Sequence, residues 1–148
     1  MTTRRFPGLH KVTFDAVVKP SPGVSDISPF IQAGVGGFAT GYLLQFGGNY
    51  NQVSALKRMG MMLREAQFAI KPGKTHAIIA EYDGLKVRLN VDGKMIVEYL
   101  EQLPLLGAGH EQVGFYVYEG IVEISNLIVY TSKAVQKKVS PDEGEGFE

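Results

Sequence analysis

The chain has 148 residues, a length that suits one domain, and Lys+Arg 15 against Asp+Glu 15 leaves no global field to hold nucleic acid or an anionic membrane surface. It has no Cys, which excludes disulfide frameworks, thiolate metal sites and a cysteine nucleophile. Gly 18 and Pro 7 together stand above the usual share of roughly 12%, and no apolar run approaches the roughly 20 residues of a membrane-spanning helix.

Arg4 and Arg5 are not followed by the apolar stretch of a secretory leader. That leaves two readings: a cytoplasmic protein, or a mature or excised module of extracellular or periplasmic origin. Residues 10–19 alternate Val12, Phe14, Ala16 and Val18 with polar neighbours and read as a strand closed by a turn at 20–23. A second strand is expected over 27–33, where Pro29 suggests an edge or a bulge. Residues 34–37 read as a flexible glycine joint, followed by a strand over 42–46. Residues 53–63 also fit a helical face through Ala55, Leu56, Met59, Met62 and Leu63, but Gly60 interrupts them, so two strands are expected over 53–59 and 61–70.

A turn at 71–74 leads to an apolar strand over 76–82. Asp83-Gly84 and Asp92-Gly93 are hairpin turns, which predict a three-strand meander through 85–91 and 95–100. After a loop at 104–109, residues 112–118 place Val113, Phe115 and Val117 on one face and Tyr116 and Tyr118 on the other. The last strand, 121–131, is expected to bulge near Ser125-Asn126 and keep Ile124, Leu127 and Val129 inward. Glycine and proline thus punctuate about ten to twelve strands. The expected fold is an all-β, two-sheet antiparallel sandwich over residues 1–131, with 132–148 a tail or linker.

Ala80-Glu-Tyr-Asp-Gly84, Val87-Arg-Leu-Asn-Val-Asp-Gly-Lys94, Val113-Gly-Phe-Tyr116 and the closing run from Val122 to Tyr130 resemble the C-terminal strands of concanavalin A-like, laminin G-like jelly rolls of bacterial type. Gly41-Tyr-Leu-Leu-Gln-Phe-Gly-Gly48 is similar to a middle strand of the same domains. The resemblance implies a jelly roll with one convex and one concave sheet. Its relatives include lectin and adhesion modules, 3-keto-disaccharide hydrolases and family-sixteen glycoside hydrolases. The chain departs from many such modules at Thr75, where they carry Trp; it has no Trp at all. Calcium is the ion that the resemblance implies, although no clustered Asp run is present to hold it.

The residues give little support to catalysis. A retaining glycosidase needs two carboxylates about 5 Å apart, and the nearest approach to the family-sixteen motif, Glu81-Tyr-Asp83-Gly-Leu-Lys86, has lysine at the acid/base position. Glu119 and Glu123 on one extended strand would lie roughly 13 Å apart. His10, His76 and His110 follow no metal-ligand spacing, and His76 reads as a packing residue. No metal site and no cofactor are expected from these residues.

What remains is a binding surface. Gln45, Arg58, Arg88, Tyr116 and Tyr118 are read as outward on their strands, with Asn49 and Asn51 in the loop after one of them. Sharing one sheet, they would form an aromatic and polar groove. The expectation is a non-catalytic module that binds a glycan or a protein partner. Two rivals stay open: a glycoside-cleaving enzyme similar to the 3-keto-disaccharide hydrolases, using His110 and distant acidic residues, and a self-associating structural domain.

Overall fold

A computed structural model describes residues 4–19, 26–117 and 120–132. The turn expected at 20–23, Tyr118, Glu119 and the expected tail beyond Ser132 lie outside the described residues, as does the side chain of Asn49. Ten strands form two sheets: β1 (Leu9–Val18), β2 (Ser28–Ala33), β3 (Tyr42–Gly47), β4 (Val53–Arg58), β5 (Met61–Ala66), β6 (His76–Tyr82), β7 (Lys86–Val91), β8 (Lys94–Leu100), β9 (Gln112–Tyr116) and β10 (Val122–Thr131). Sheet I has the order β10-β1-β6-β7-β8 and sheet II the order β5-β4-β3-β2-β9, with antiparallel pairing throughout. This is the jelly-roll sandwich of concanavalin A-like type that the strand pattern and the resemblance predict.

Strand periodicity explains the core. Val12, Phe14, Ala16 and Val18 on β1 and Val87, Leu89 and Val91 on β7 turn toward Tyr42, Leu44, Phe46 and Leu56 of sheet II, and all are buried together. Phe14 meets Phe115 edge to face at 5.0 Å, which joins the two sheets near their β9/β10 side.

The helix-like stretch resolves into a hairpin. Met59 and Gly60 both take positive φ, 48° and 84°, the pattern of a tight turn whose twist matches the flanking strands. Asp92 and Gly93 do the same at 53° and 81° between β7 and β8. A one-turn helix, α1 (Gly48–Asn51), links β3 to β4, and a 3₁₀ turn, Phe38–Thr40, precedes β3.

Four expectations need correction. Pro29 lies on an interior strand, between β3 and β9, and the irregularity falls instead between Phe30 and Ala33, where Gln32 has φ 51°. The 34–37 segment is pinned: Thr40 Oγ1 accepts from the Gly34 amide at 2.8 Å and donates to the Gly37 carbonyl at 2.7 Å. β5 ends at Ala66, not at residue 70. On β10 the expected bulge is present at Asn126, with φ 54°, and Ile124 and Val129 pack inward, but Leu127 is 47% exposed. The extra residue of the bulge shifts the alternation and turns Leu127 out.

One polar cluster ties the sheets together. The Tyr42 hydroxyl donates to Glu101 Oε2 at 2.6 Å, and Arg58 Nε donates to the same oxygen at 2.8 Å. Glu101 Oε1 accepts from the Leu103 amide at 3.0 Å, and the Tyr42 oxygen accepts from the Leu105 amide at 3.1 Å. Tyr42 and Arg58 belong to sheet II, whereas Glu101 follows the last strand of the sheet I meander. Burial alone would raise the Glu101 carboxyl. The Tyr42 hydroxyl, the Leu103 amide and Arg58 outweigh it and hold the group below the usual carboxylate value.

Two outcomes follow. Tyr42→Phe leaves a buried carboxylate short of a donor and should lower unfolding stability by about 1–3 kcal/mol in denaturant titrations. Because the folded-state value of Glu101 is depressed, its contribution is complete above the unfolded value near 4.5 and is lost as pH falls through the folded one. Glu101→Gln should therefore be less stable at pH 7 and lose less further stability on acidification than the parent; equal acid limbs would contradict the assignment.

Candidate functional site

The outer faces of the two sheets differ in chemistry. On sheet I, outward-facing Arg88 lies among carboxylates: its Nη2 is 2.8 Å from Asp83 Oδ2, with Glu81 at 3.5 Å and Glu98 at 3.6 Å. Hydrogen bonds from the Lys86 and Leu85 amides, with Arg88, hold Asp83 below the usual carboxylate range against the opposing effect of burial. Lys86 pairs with Glu98 at 3.3 Å, and Lys11 stands over the Tyr130 ring. The cations of this face are thus already engaged.

On sheet II the outer face carries aromatic side chains. Phe30, Ala33 and Leu43 form a small apolar cluster outside the main core, with Tyr116 packed against it. The pinned 34–40 segment sets Phe38 over this cluster, its ring 4.8 Å from Tyr116 and 6.4 Å from Phe30. Phe38 and Tyr116 remain accessible at the edge of the stack.

Beside them is a buried polar relay. Asp26, only 4% exposed, accepts from Ser28 Oγ at 2.9 Å and from Gln45 Nε2 at 3.1 Å through the same oxygen. Pairing of Phe30 with Leu43 and of Ile27 with Phe46 sets Ser28 opposite Gln45, and Ser28 is also opposite Tyr116. Gln45 in turn pairs with Ala55, and Ala55 with Glu65. One row across the sheet therefore reads Tyr116, Ser28, Gln45, Ala55, Glu65. The next row reads Gly114, Phe30, Leu43, Lys57, Met62. The Gln45 carboxamide lies over Gly48: a Cβ there would fall 2.5 Å from its Cδ, so only glycine leaves the amide its place.

The expected groove residues separate on these sheets. Gln45 and Tyr116 share the outer face of sheet II. Arg88 is on the outer face of the opposite sheet. Arg58 shares the parity of buried Leu56, so it turns inward at the end of β4, where it holds Glu101 and donates to the Leu103 carbonyl at 2.7 Å. Asn51 is committed to the backbone: it donates to the Ile70 carbonyl at 2.9 Å and accepts from the Ile70 amide at 2.6 Å. Residues not anticipated on the face are Phe38, Asp26, Lys57 and Glu65. An aromatic residue in a glycine-rich connection was the available signal for Phe38. The link from Asp26 to Gln45 spans 19 residues and has no local signature.

The histidines are held apart. His76, 2% exposed, packs edge-on against Phe46 at 5.0 Å. The Lys71 amide donates to its Nε2, so Nδ1 carries the proton toward Asp92 Oδ2 at 2.8 Å. Burial would raise the Asp92 carboxyl, but the Ala77 amide, His76 and Lys74 outweigh it and keep it low. His110 bonds the Gln32 carbonyl at 3.0 Å and His10 the Gly8 carbonyl at 3.3 Å. Among the described residues no group of three or more His, Asp or Glu side chains is arranged to hold a metal ion.

No protein-family model and no curated protein sequence matches the chain. Solved structures with the same fold include the carbohydrate-binding module CBM66 from Bacillus subtilis, 11% identical over 84% of this chain and 76% of that one, TM-score 0.62. Sheep galectin-11, solved in complex with glycerol, is 12% identical over 87% of this chain and 95% of its own, TM-score 0.59. A putative glycosyl hydrolase from Parabacteroides distasonis is 15% identical over 86% and 71%, also at TM-score 0.59. At these identities the likeness establishes the jelly-roll sandwich.

Asp26→Asn removes the anionic acceptor of both Ser28 and Gln45 and places an amide donor among donors. It should destabilise the fold by about 1–3 kcal/mol in thermal or denaturant unfolding and shift the Gln45 side-chain amide signals in NMR spectra. Unchanged Gln45 signals would show that the relay does not orient the amide.

Proposed function

We propose that the outer face of sheet II binds carbohydrate without cleaving it. The observation that carries this reading is the accessible Phe38–Tyr116 stack beside a Gln45 carboxamide oriented by buried Asp26. Sugars present C–H faces that pack on aromatic rings and hydroxyls that need planar donors and acceptors. Tyr116 and Gln45 stand two strands apart, about 10 Å, a span suited to a short oligosaccharide lying across the strands. Lys57 and Glu65 extend the polar surface toward β5.

The carboxylates of this face are poorly placed for glycoside cleavage. Asp26 is buried among donors beside Gln45, and Glu65 projects from the edge strand. The fold neighbours, whose descriptions include a carbohydrate-binding module and galectins, support the same reading. Protein partners and self-association are rival uses of this face.

A glycan array followed by calorimetry should identify a saccharide that binds. Tyr116→Ala and Phe38→Ala should each weaken that saccharide at least tenfold, about 1.4 kcal/mol, whereas Arg88→Ala, on the other sheet, should leave its affinity unchanged. Absence of any binding saccharide, or equal losses from Arg88→Ala and Tyr116→Ala, would overturn the proposal.

A further inference from the structure

A concave site lies away from that face, where the start of β1, the β6–β7 hairpin and the 101–111 loop meet. It is a mainly apolar cleft of about 370 Å³ whose walls include Leu9, His10, Tyr82, Asp83, Leu106 and Ser132. None of these residues belongs to the outer face of sheet II. The volume exceeds the 150 Å³ or so of a cavity that holds benzene and falls in the range of small-molecule sites.

Its walls are fixed by the framework. Ser132 donates its amide to the Gly8 carbonyl at 2.8 Å, and a Cβ on Gly8 would fall 2.5 Å from the Ser132 oxygen. The hairpin is held by Asp83, which accepts from the Leu85 and Lys86 amides and pairs with Arg88. Leu106 follows Leu105, whose amide bonds the Tyr42 hydroxyl, and the Glu101 amide donates to the Leu85 carbonyl at 2.9 Å. The loop and the hairpin are thus joined.

Two ring-borne polar groups in the cleft have hydrogen-bonding capacity left. Tyr82 is 9% exposed, yet its hydroxyl has no partner among the described residues and is not sealed from solvent. Burial, with Glu101 and Asp83 nearby, raises this hydroxyl, so it stays protonated as a donor. His10 uses Nδ1–H on the Gly8 carbonyl, and in that tautomer Nε2 is the acceptor nitrogen. Asp83 is occupied by two amides and a guanidinium, so the cleft offers no free counter-charge to an ion.

We infer that this cleft is a binding site for a small uncharged ring compound bearing a carboxamide or lactam. The ring lies against Leu9 and Leu106, the carbonyl oxygen accepts from the Tyr82 hydroxyl, and the N–H donates to His10 Nε2. This site acts independently of the saccharide face.

The test uses benzamide as the probe, with toluene and benzoate as controls, in NMR titrations of the intact chain at neutral pH. Benzamide should saturate at millimolar concentrations and shift the amides of residues 8–10, 82–84 and 106, with toluene and benzoate at least tenfold weaker. Tyr82→Phe should weaken benzamide tenfold with an unchanged circular dichroism spectrum. Leu106→Trp, at a half-exposed wall position, should block the cleft while leaving Tyr82 in place, and Tyr116→Ala should have no effect. No shifts at 10 mM benzamide, shifts elsewhere, equal binding of toluene or benzoate, or full affinity in either cleft variant would overturn the assignment.

Discussion

A single buried carboxylate couples the two sheets at one end of the sandwich. Glu101 is taken out of water at the end of the sandwich, where an unsatisfied charge would cost several kcal/mol. It is tolerated because a phenol and a guanidinium from sheet II and a backbone amide from its own loop converge on its two oxygens. The same contacts fix the loop that follows β8, so Leu105 enters the core and Leu106 becomes a wall of the end cleft. This cluster anchors the start of the crossover from sheet I to β9, and β9 itself is held by its pairing with β2.

The two outer faces differ in how their polar groups are engaged. On sheet I, charges alternate across neighbouring strands and neutralise one another, as Arg88 does with Glu81, Asp83 and Glu98. These half-buried pairs leave a surface with few open demands. On sheet II, burial of Asp26 orients an amide, and a pinned turn places an aromatic ring above two others. Oriented amides and exposed ring faces are the chemistry that a saccharide uses.

Much of the architecture was legible in the residues because its causes are local. Val12, Phe14, Ala16 and Val18 show their face through alternation alone, and each Asp-Gly pair marks a turn that needs positive φ. Even Met59-Gly60, inside a helix-like spacing, betrays itself through the glycine. The site was only partly legible because alternation tells which residues share a face and not which sheet the strand joins. Arg88 was correctly outward but on the other sheet. Arg58 shares the parity of Leu56, and that parity placed it inside. Asn51 looked like a free loop amide because its partner, the Ile70 backbone, is distant in sequence. Leu127 was displaced by one bulged residue, a shift that alternation cannot date to a position. Asp26 and Phe38 emerge only when chain folding brings them beside Gln45 and Tyr116.

The most direct test is an NMR titration of the isotopically labelled chain with the tightest-binding saccharide from an array, read residue by residue. The account predicts shifts that grow with saccharide concentration at Phe38, Gln45, Lys57 and Tyr116, with Arg88, Glu81 and Glu98 unmoved. Shifts concentrated on the Arg88 face, or spread evenly over both sheets, would contradict it.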